Sequence, residues 1–153
     1  MTVIERLADL GITLPTPMAP VATYVAVTIA GSLVTVSGQL PAIEGKVAVT
    51  GKLGLSVSLE EGQHAARLCL INVLAQLNAA LPGGLDSIKK VIRLGGFIAA
   101  TPEFSQHAVV MNGASDLTVA AFGEAGRHAR STIGVASLPL NAAVEVEGTF
   151  WLG

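Results

Sequence analysis

Charge is what this sequence has least of. Only 13% of its 153 residues are Asp, Glu, Lys or Arg, where about 25% is usual for a soluble domain. Nine basic side chains against eleven acidic ones, with a pI near 5.9, leave no cationic face for a nucleic acid or an anionic membrane. No nucleic-acid partner and no membrane partner are expected. Cysteine occurs once, at Cys69, which excludes an intrachain disulfide and a zinc ribbon. Long hydrophobic runs are missing too. The longest uncharged stretch, between Arg67 and Asp86, is interrupted by Asn72, Gln76, Asn78, Pro82 and two glycines. It reads as a buried amphipathic helix rather than a membrane span. The opening MTVIERLADLG carries two acidic residues and no apolar core of signal-peptide length. A cytoplasmic protein is the expectation. Linkers, low-complexity runs and internal repeats are absent, so one domain over 1–153 is expected.

Apolar residues, by contrast, make up 51% of the chain, too many for a disordered protein. A chain this short has much surface for its volume. With few charges to cover it, and with wet apolar surface costing about 25 cal/mol per Å², a homo-oligomer is expected.

Apolar periodicity divides the chain into elements. Residues 3–10 carry Val3, Ile4, Leu7 and Leu10 and read as a short helix. Thr13 to Pro20 holds three prolines and reads as an extended connector. Tyr24–Ile29 and Leu33–Ser37, split by Gly31-Ser32, predict a β-hairpin. Glu44 to Gly54 is a loop with a short strand at Val47–Thr50. Ser58-Leu59-Glu60-Glu61 is a capping box. It opens a helix to about Leu81 with Ala66, Leu70, Val73, Leu74 and Leu77 on one stripe. Leu68 and Ile71 form a second stripe, so this helix is covered on more than one side. Val91–Ala100 predicts a strand whose Gly95-Gly96 pair marks a bulge or a close approach. Thr101-Pro102-Glu103 predicts the start of a second long helix, ending near Gly123 or Gly126. Ser131–Ser137 and Ala143–Leu152 predict a closing hairpin about Leu138-Pro139-Leu140-Asn141. The sum is an α+β fold, a mixed sheet with two helices on one face. Its other face then needs a partner, a second argument for an oligomer.

Familiar catalytic signatures are lacking. There is no GxGxxG, Walker A, HExxH or GxSxG. Gly113-Ala114-Ser115-Asp116-Leu117 approaches a nucleophile elbow, but it lies in a helix pattern and lacks the second glycine, so packing explains it. His64, His107 and His128 are too scattered to predict a metal site, and none is expected. Arg130 begins a strand in a charge-poor chain; it suits a bidentate grip on a carboxylate or a surface ion pair. Glu145 lies on the strand face opposite the valines, where it is either solvated or functional.

Several of these segments together resemble the RidA/YjgF family, also called endoribonuclease L-PSP-like. They are Tyr24-Val25 followed by Val36-Ser37-Gly38-Gln39-Leu40-Pro41; the helix Ala65–Ala80 leading through Gly84-Leu85 to a strand at Val91; and Ala129-Arg130-Ser131-Thr132, Ala136-Ser137-Leu138-Pro139 and Val144-Glu145-Val146-Glu147. The wording Asn112–Leu117 and Gly123–Arg130 looks like a divergent subgroup. The resemblance implies a chorismate-mutase-like α+β fold assembled as a homotrimer, with pockets at subunit seams. It implies hydrolysis of reactive enamines and imines, such as 2-aminoacrylate, to 2-keto acids and ammonia, without a cofactor. The ligand implied is a small 2-imino or 2-keto acid. Carried over by position, Arg130 grips the substrate carboxylate and Glu145 orients or activates water; these two are the expected catalytic pair. Tyr24 and Asn112 line the pocket, and Gly38 lends it backbone. Thr132 stands where the family often has Cys, which leaves a hydroxyl and a backbone amide there. Residues 1–20 form an N-terminal extension that packs on the sheet edge or covers a pocket. The alternative is a non-catalytic trimer that binds small carboxylates or acts as a chaperone-like protein. The acidic pI and the lack of a basic aromatic patch count against a ribonuclease.

Overall fold

The computed structural model describes residues 1–20 and 22–153. Helix α1 spans Val3–Asp9 and is opened by a second capping box that the sequence reading did not anticipate, Thr2 with Glu5. Strands β1 (Val27–Ala30) and β2 (Leu33–Gln39) form the expected hairpin, turned at Gly31 with φ of 61°. Two-residue strands β3 (Ala42–Ile43) and β4 (Lys46–Val47) make a separate small ribbon. The strand placed at Val47–Thr50 shrinks to this, because the chain beyond it turns away to bridge Ala142 from Thr50. Helix α2 runs Leu59–Ala80. Its capping box closes in both directions: Glu61 N donates to Ser58 Oγ at 3.1 Å, and Ser58 N donates to Glu61 Oε2 at 2.7 Å.

Strand β5 (Lys90–Ala99) leads to helix α3 (His107–Phe122). The helix begins six residues after Thr101, where the sequence placed its cap. Thr101 to Phe104 instead closes a turn, with Phe104 N on Thr101 O at 3.1 Å, and Pro102 fits the first inner turn position. Strands β6 (Ala129–Val135) and β7 (Val144–Trp151) complete the chain.

The main sheet runs β1-β2-β7-β5-β6. Strand β6 pairs parallel to β5, while β7 pairs antiparallel to both β5 and β2. The expected closing hairpin of β6 with β7 therefore does not form; β5 lies between them. The Gly95-Gly96 pair serves close approach rather than a bulge. A Cβ at Gly96 would press on Met111 of α3 and one at Gly95 on Glu147, while the ladder irregularity falls at Val91/Arg93.

Helices α2 and α3 pack side by side on one face of the sheet. Val34, Val36, Leu94, Ile98, Val144, Val146 and Phe150 rise from the strands into a core shared with Leu70, Leu74, Leu77, Met111 and Leu117. Gly113 lets the helices touch: its missing side chain is replaced by the Gln63 backbone of α2. The opposite face carries no helix. Leu33, Ile133 and Trp151, which the registers place on it, stay 46, 52 and 44% exposed. No helix of the described residues is long and apolar enough to cross a membrane.

Candidate functional site

Glu145 is the second residue of β7, on the helix-free face, opposite Phe97. Its side chain lies against Gly38, where a Cβ would come within 2.9 Å of Cδ and 3.0 Å of Cγ. Glycine is therefore what lets the carboxyl fold across β2. That carboxyl borders a cavity of about 450 Å³ together with Tyr24, Gly38, Asn72, Gln76 and Leu140. Partial burial raises the Glu145 pKa above the ordinary carboxylate value, and repulsion from Glu147 adds to the rise.

Only the end of the N-terminal extension, Met18 to Pro20, reaches this pocket. Helix α1 is pinned at Val3 N, which donates to Asp86 Oδ1 at 2.8 Å, and at Arg6 Nη1, which donates to Ala121 O at 3.2 Å. The extended connector then reaches the cavity, where Gln76 Nε2 donates to Met18 O at 2.7 Å and Met18, Ala19 and Pro20 supply wall. Asn72 holds the β3 side by donating to Leu40 O and Ala42 O at 2.9 and 3.1 Å. Asn72 and Gln76 were missed as lining residues. Their signal was visible: two amides at i and i+4 in the uncharged stretch after Arg67, with Gln76 only 7% exposed.

Arg130 takes another position. It opens the edge strand β6 opposite Leu94, on the helix-covered face, and turns to α3. Nη1 donates to Asn112 Oδ1 at 2.9 Å and to Ser115 Oγ at 3.0 Å; Nη2 donates to Ala108 O at 3.2 Å. All three acceptors are neutral. Among the described residues the one ion pair is Arg127 with Glu124, so the surface-pair reading of Arg130 does not hold. A guanidinium has five N–H donors. The three in use leave one on Nη2 and one on Nε. Asn112 thus meets Arg130 as a holder of its side chain. Thr132, two residues on and on the same face of β6, has a buried Oγ1 with no partner.

The residues singled out from sequence therefore fall into two groups within one chain. Tyr24, Gly38 and Glu145 share the cavity; Arg130, Asn112 and Thr132 share the β6 edge. Strand β5 and the thickness of the sheet separate Arg130 from Glu145.

Comparison with known proteins gives this arrangement its context. Residues 4–148 match the family model described as "YjgF/chorismate_mutase-like, putative endoribonuclease". Protein TCP17 of Trypanosoma cruzi is 47% identical over 146 residues, covering 95% of this chain and 91% of that one. Among solved structures, protein Atu1372 of Agrobacterium tumefaciens superposes with a TM-score of 0.91 at 48% identity, over 99% of this chain and 92% of its own. A "putative endoribonuclease" of Shewanella oneidensis gives 0.95 at 37% identity, over 99 and 100%. With its α+β architecture and a family match across nearly all its length, the chain belongs to the RidA/YjgF family of chorismate-mutase-like proteins.

Proposed function

We propose that this protein hydrolyses reactive 2-imino acids, of the 2-aminoacrylate type, to 2-keto acids and ammonia. The site lies at the seam between neighbouring subunits of a homotrimer. One subunit supplies the cavity with Tyr24, Gly38 and Glu145. The next supplies the β6 edge with Arg130 and Thr132. The observation that carries this reading is the Arg130 guanidinium: half-buried, held by three neutral oxygens, and free at one Nη2 and one Nε hydrogen. An oriented, uncompensated cation with donors to spare is a receptor for a carboxylate.

The chemistry follows from the two halves. Bidentate binding of the carboxylate fixes the adjoining C=N carbon. The orphaned Thr132 hydroxyl offers a further contact, since leaving it unpaired costs about 1–3 kcal/mol. Glu145, with its pKa drawn upward by burial and by Glu147, is suited to take a proton from water as oxygen adds to that carbon and to pass it to the imine nitrogen, which leaves a carbinolamine and an ionised carboxylate. The exposed Leu33, Ile133 and Trp151 give the helix-free face the apolar character of a subunit contact.

The test generates imines in situ from an amino acid with an amino-acid oxidase and follows semicarbazone formation. Wild type is expected to divert the imine to keto acid. Arg130→Ala and Glu145→Ala are each expected to lose about 10²-fold. Because the halves come from different chains, co-assembling the two inactive variants is expected to restore part of the activity. No acceleration by wild type would refute deamination, leaving small-carboxylate binding as the alternative. A well-folded monomer by solution mass measurement would refute the seam.

A further inference from the structure

At Nη1 of Arg130 lies a second pair of chemically competent side chains, Ser115 on α3 and His128 just before β6. Ser115 Oγ and His128 Nε2 are 2.9 Å apart, and His128 Nδ1 is 2.6 Å from the Gly126 carbonyl oxygen. A carbonyl only accepts, so Nδ1 carries the proton and Nε2 of the neutral ring is a bare acceptor. Ser115 must then donate its hydroxyl proton to Nε2. Its oxygen in turn accepts from Arg130 Nη1 at 3.0 Å. The donors run one way, from guanidinium to serine to imidazole.

Local structure is built to hold this line. A Cβ at Gly126 would come within 3.0 Å of the Thr118 carbonyl carbon. Glycine there lets the turn before β6 press on α3 and brings His128 to Ser115. A helix serine commonly bonds back to the carbonyl four residues earlier, as Thr118 does to Ala114 O at 2.8 Å. Ser115 instead points its hydroxyl at a base that a third group orients, the arrangement that lets a hydroxyl pass on its proton.

We propose that Ser115 and His128 are a proton relay into the Arg130 site, with the imidazole as the proton store. The proposal rests on the imine-hydrolysis reading above. In the step that frees ammonia, the C–N bond of the tetrahedral carbinolamine breaks and its electron pair stays on nitrogen. That nitrogen takes the Ser115 hydroxyl proton, and Ser115 takes the Nε2 proton of protonated His128. The carbinolamine hydroxyl gives its proton to the Glu145 carboxylate, and its O–H electrons close the C=O bond. The products are the keto acid, ammonia, neutral His128 and protonated Glu145; solvent resets both side chains. The charged groups on the elements around the ring are Arg130 on β6, Arg93 on β5 opposite Ala129, Lys90 on β5, whose Nζ donates to Glu124 O at 3.3 Å, Asp116 beside Ser115 on α3, and the paired Glu124 and Arg127 in the turn. Among the described residues no carboxylate lies within ion-pair distance of the imidazole.

Wild type, Ser115→Ala, Ser115→Thr and His128→Gln separate the outcomes in two assays: binding of 2-oxobutyrate by NMR titration, and imine hydrolysis across roughly pH 6–9. Glutamine can still accept from Ser115 but cannot store a proton. Affinity for 2-oxobutyrate is expected to hold in wild type, Ser115→Thr and His128→Gln, and to weaken in Ser115→Ala, which removes one of the three oxygens that hold Arg130. Hydrolysis is expected to fall about 10²-fold in Ser115→Ala and His128→Gln, to recover in Ser115→Thr, and to lose its pH-dependent limb in His128→Gln. Active wild type with unchanged rates and pH profile in the variants overturns the relay alone. A His128→Gln protein that loses binding and hydrolysis together reduces the pair to a prop for Arg130 and also overturns it. A wild type that binds 2-oxobutyrate but hydrolyses no imine overturns the relay together with the deaminase reading.

Discussion

Adding one methyl group at Gly38 tests whether the placement of the Glu145 carboxyl matters, because it moves the group without altering its charge. A Cβ at Gly38 would sit 2.9 Å from Glu145 Cδ and 3.0 Å from Cγ. Carbon atoms in contact prefer about 3.5–4.0 Å, so the carboxyl must retreat by roughly 0.5–1 Å. The backbone has no reason to resist. Gly38 is not among the residues with positive φ, and the atoms it meets belong to the far end of a flexible side chain. Alanine in a strand is favoured over glycine by about 0.5–1 kcal/mol, which offsets the cost of turning the carboxyl. Gly38→Ala should therefore melt within a few degrees of wild type. Its imine hydrolysis should nonetheless fall by up to about 10²-fold, the scale of a 1 Å misplacement at a reacting centre. Thermal denaturation measures the first quantity and semicarbazide trapping the second. Full activity in a folded variant would refute the claim that the carboxyl works from its place against Gly38. Collapse of the fold would refute the view that only a side-chain end is displaced.

The same methyl at Gly113 should act in the opposite way. There it meets Gln63 backbone, with the carbonyl carbon at 2.8 Å and Cα at 3.0 Å, so α2 and α3 must part. Gly113→Ala should lower stability by about 1–3 kcal/mol in denaturant titration, despite the roughly 1 kcal/mol that alanine gains in a helix; unchanged stability would mean the crossing is slack. Glu145 also has a signature in pH. Its folded-state pKa is raised, so the folded subunit is penalised once the carboxyl ionises, and stability falls as pH rises from the ordinary carboxylate value through the raised one. Glu145→Gln should thus melt higher than wild type at neutral pH, with the gain fading below roughly pH 4. Equal or lower stability would show that a cation compensates the carboxylate.

Much of this molecule could be read from local pattern, because a helix and a hairpin are decided over a few residues. The Ser58–Glu61 box and the stripe from Ala66 to Leu77 place α2, and the Gly31 turn places β1 against β2. Alternation from Val144 to Trp151 separates the buried face of β7 from the face of Glu145. Tyr24, Gly38 and Glu145, which the sequence motifs single out, share one cavity. Other features depend on segments far apart in the chain. Nothing local to Ser131–Ser137 tells it to pair parallel with β5 rather than back on β7. The crossover through α3 makes that choice, and with it the division of Arg130 and Glu145 between two faces of the sheet. The start of α3 slipped six residues because Thr101-Pro102 suits a turn as well as a helix cap, and packing against the loop at Gly54 selects the turn. Ser115 and His128 stand thirteen positions apart, with no spacing to link them. Residue types and periods set the elements and named most of the candidate groups. Which groups meet was left to strand order and helix crossing, since contact free energy depends on distance in space and a sequence records only distance along the chain.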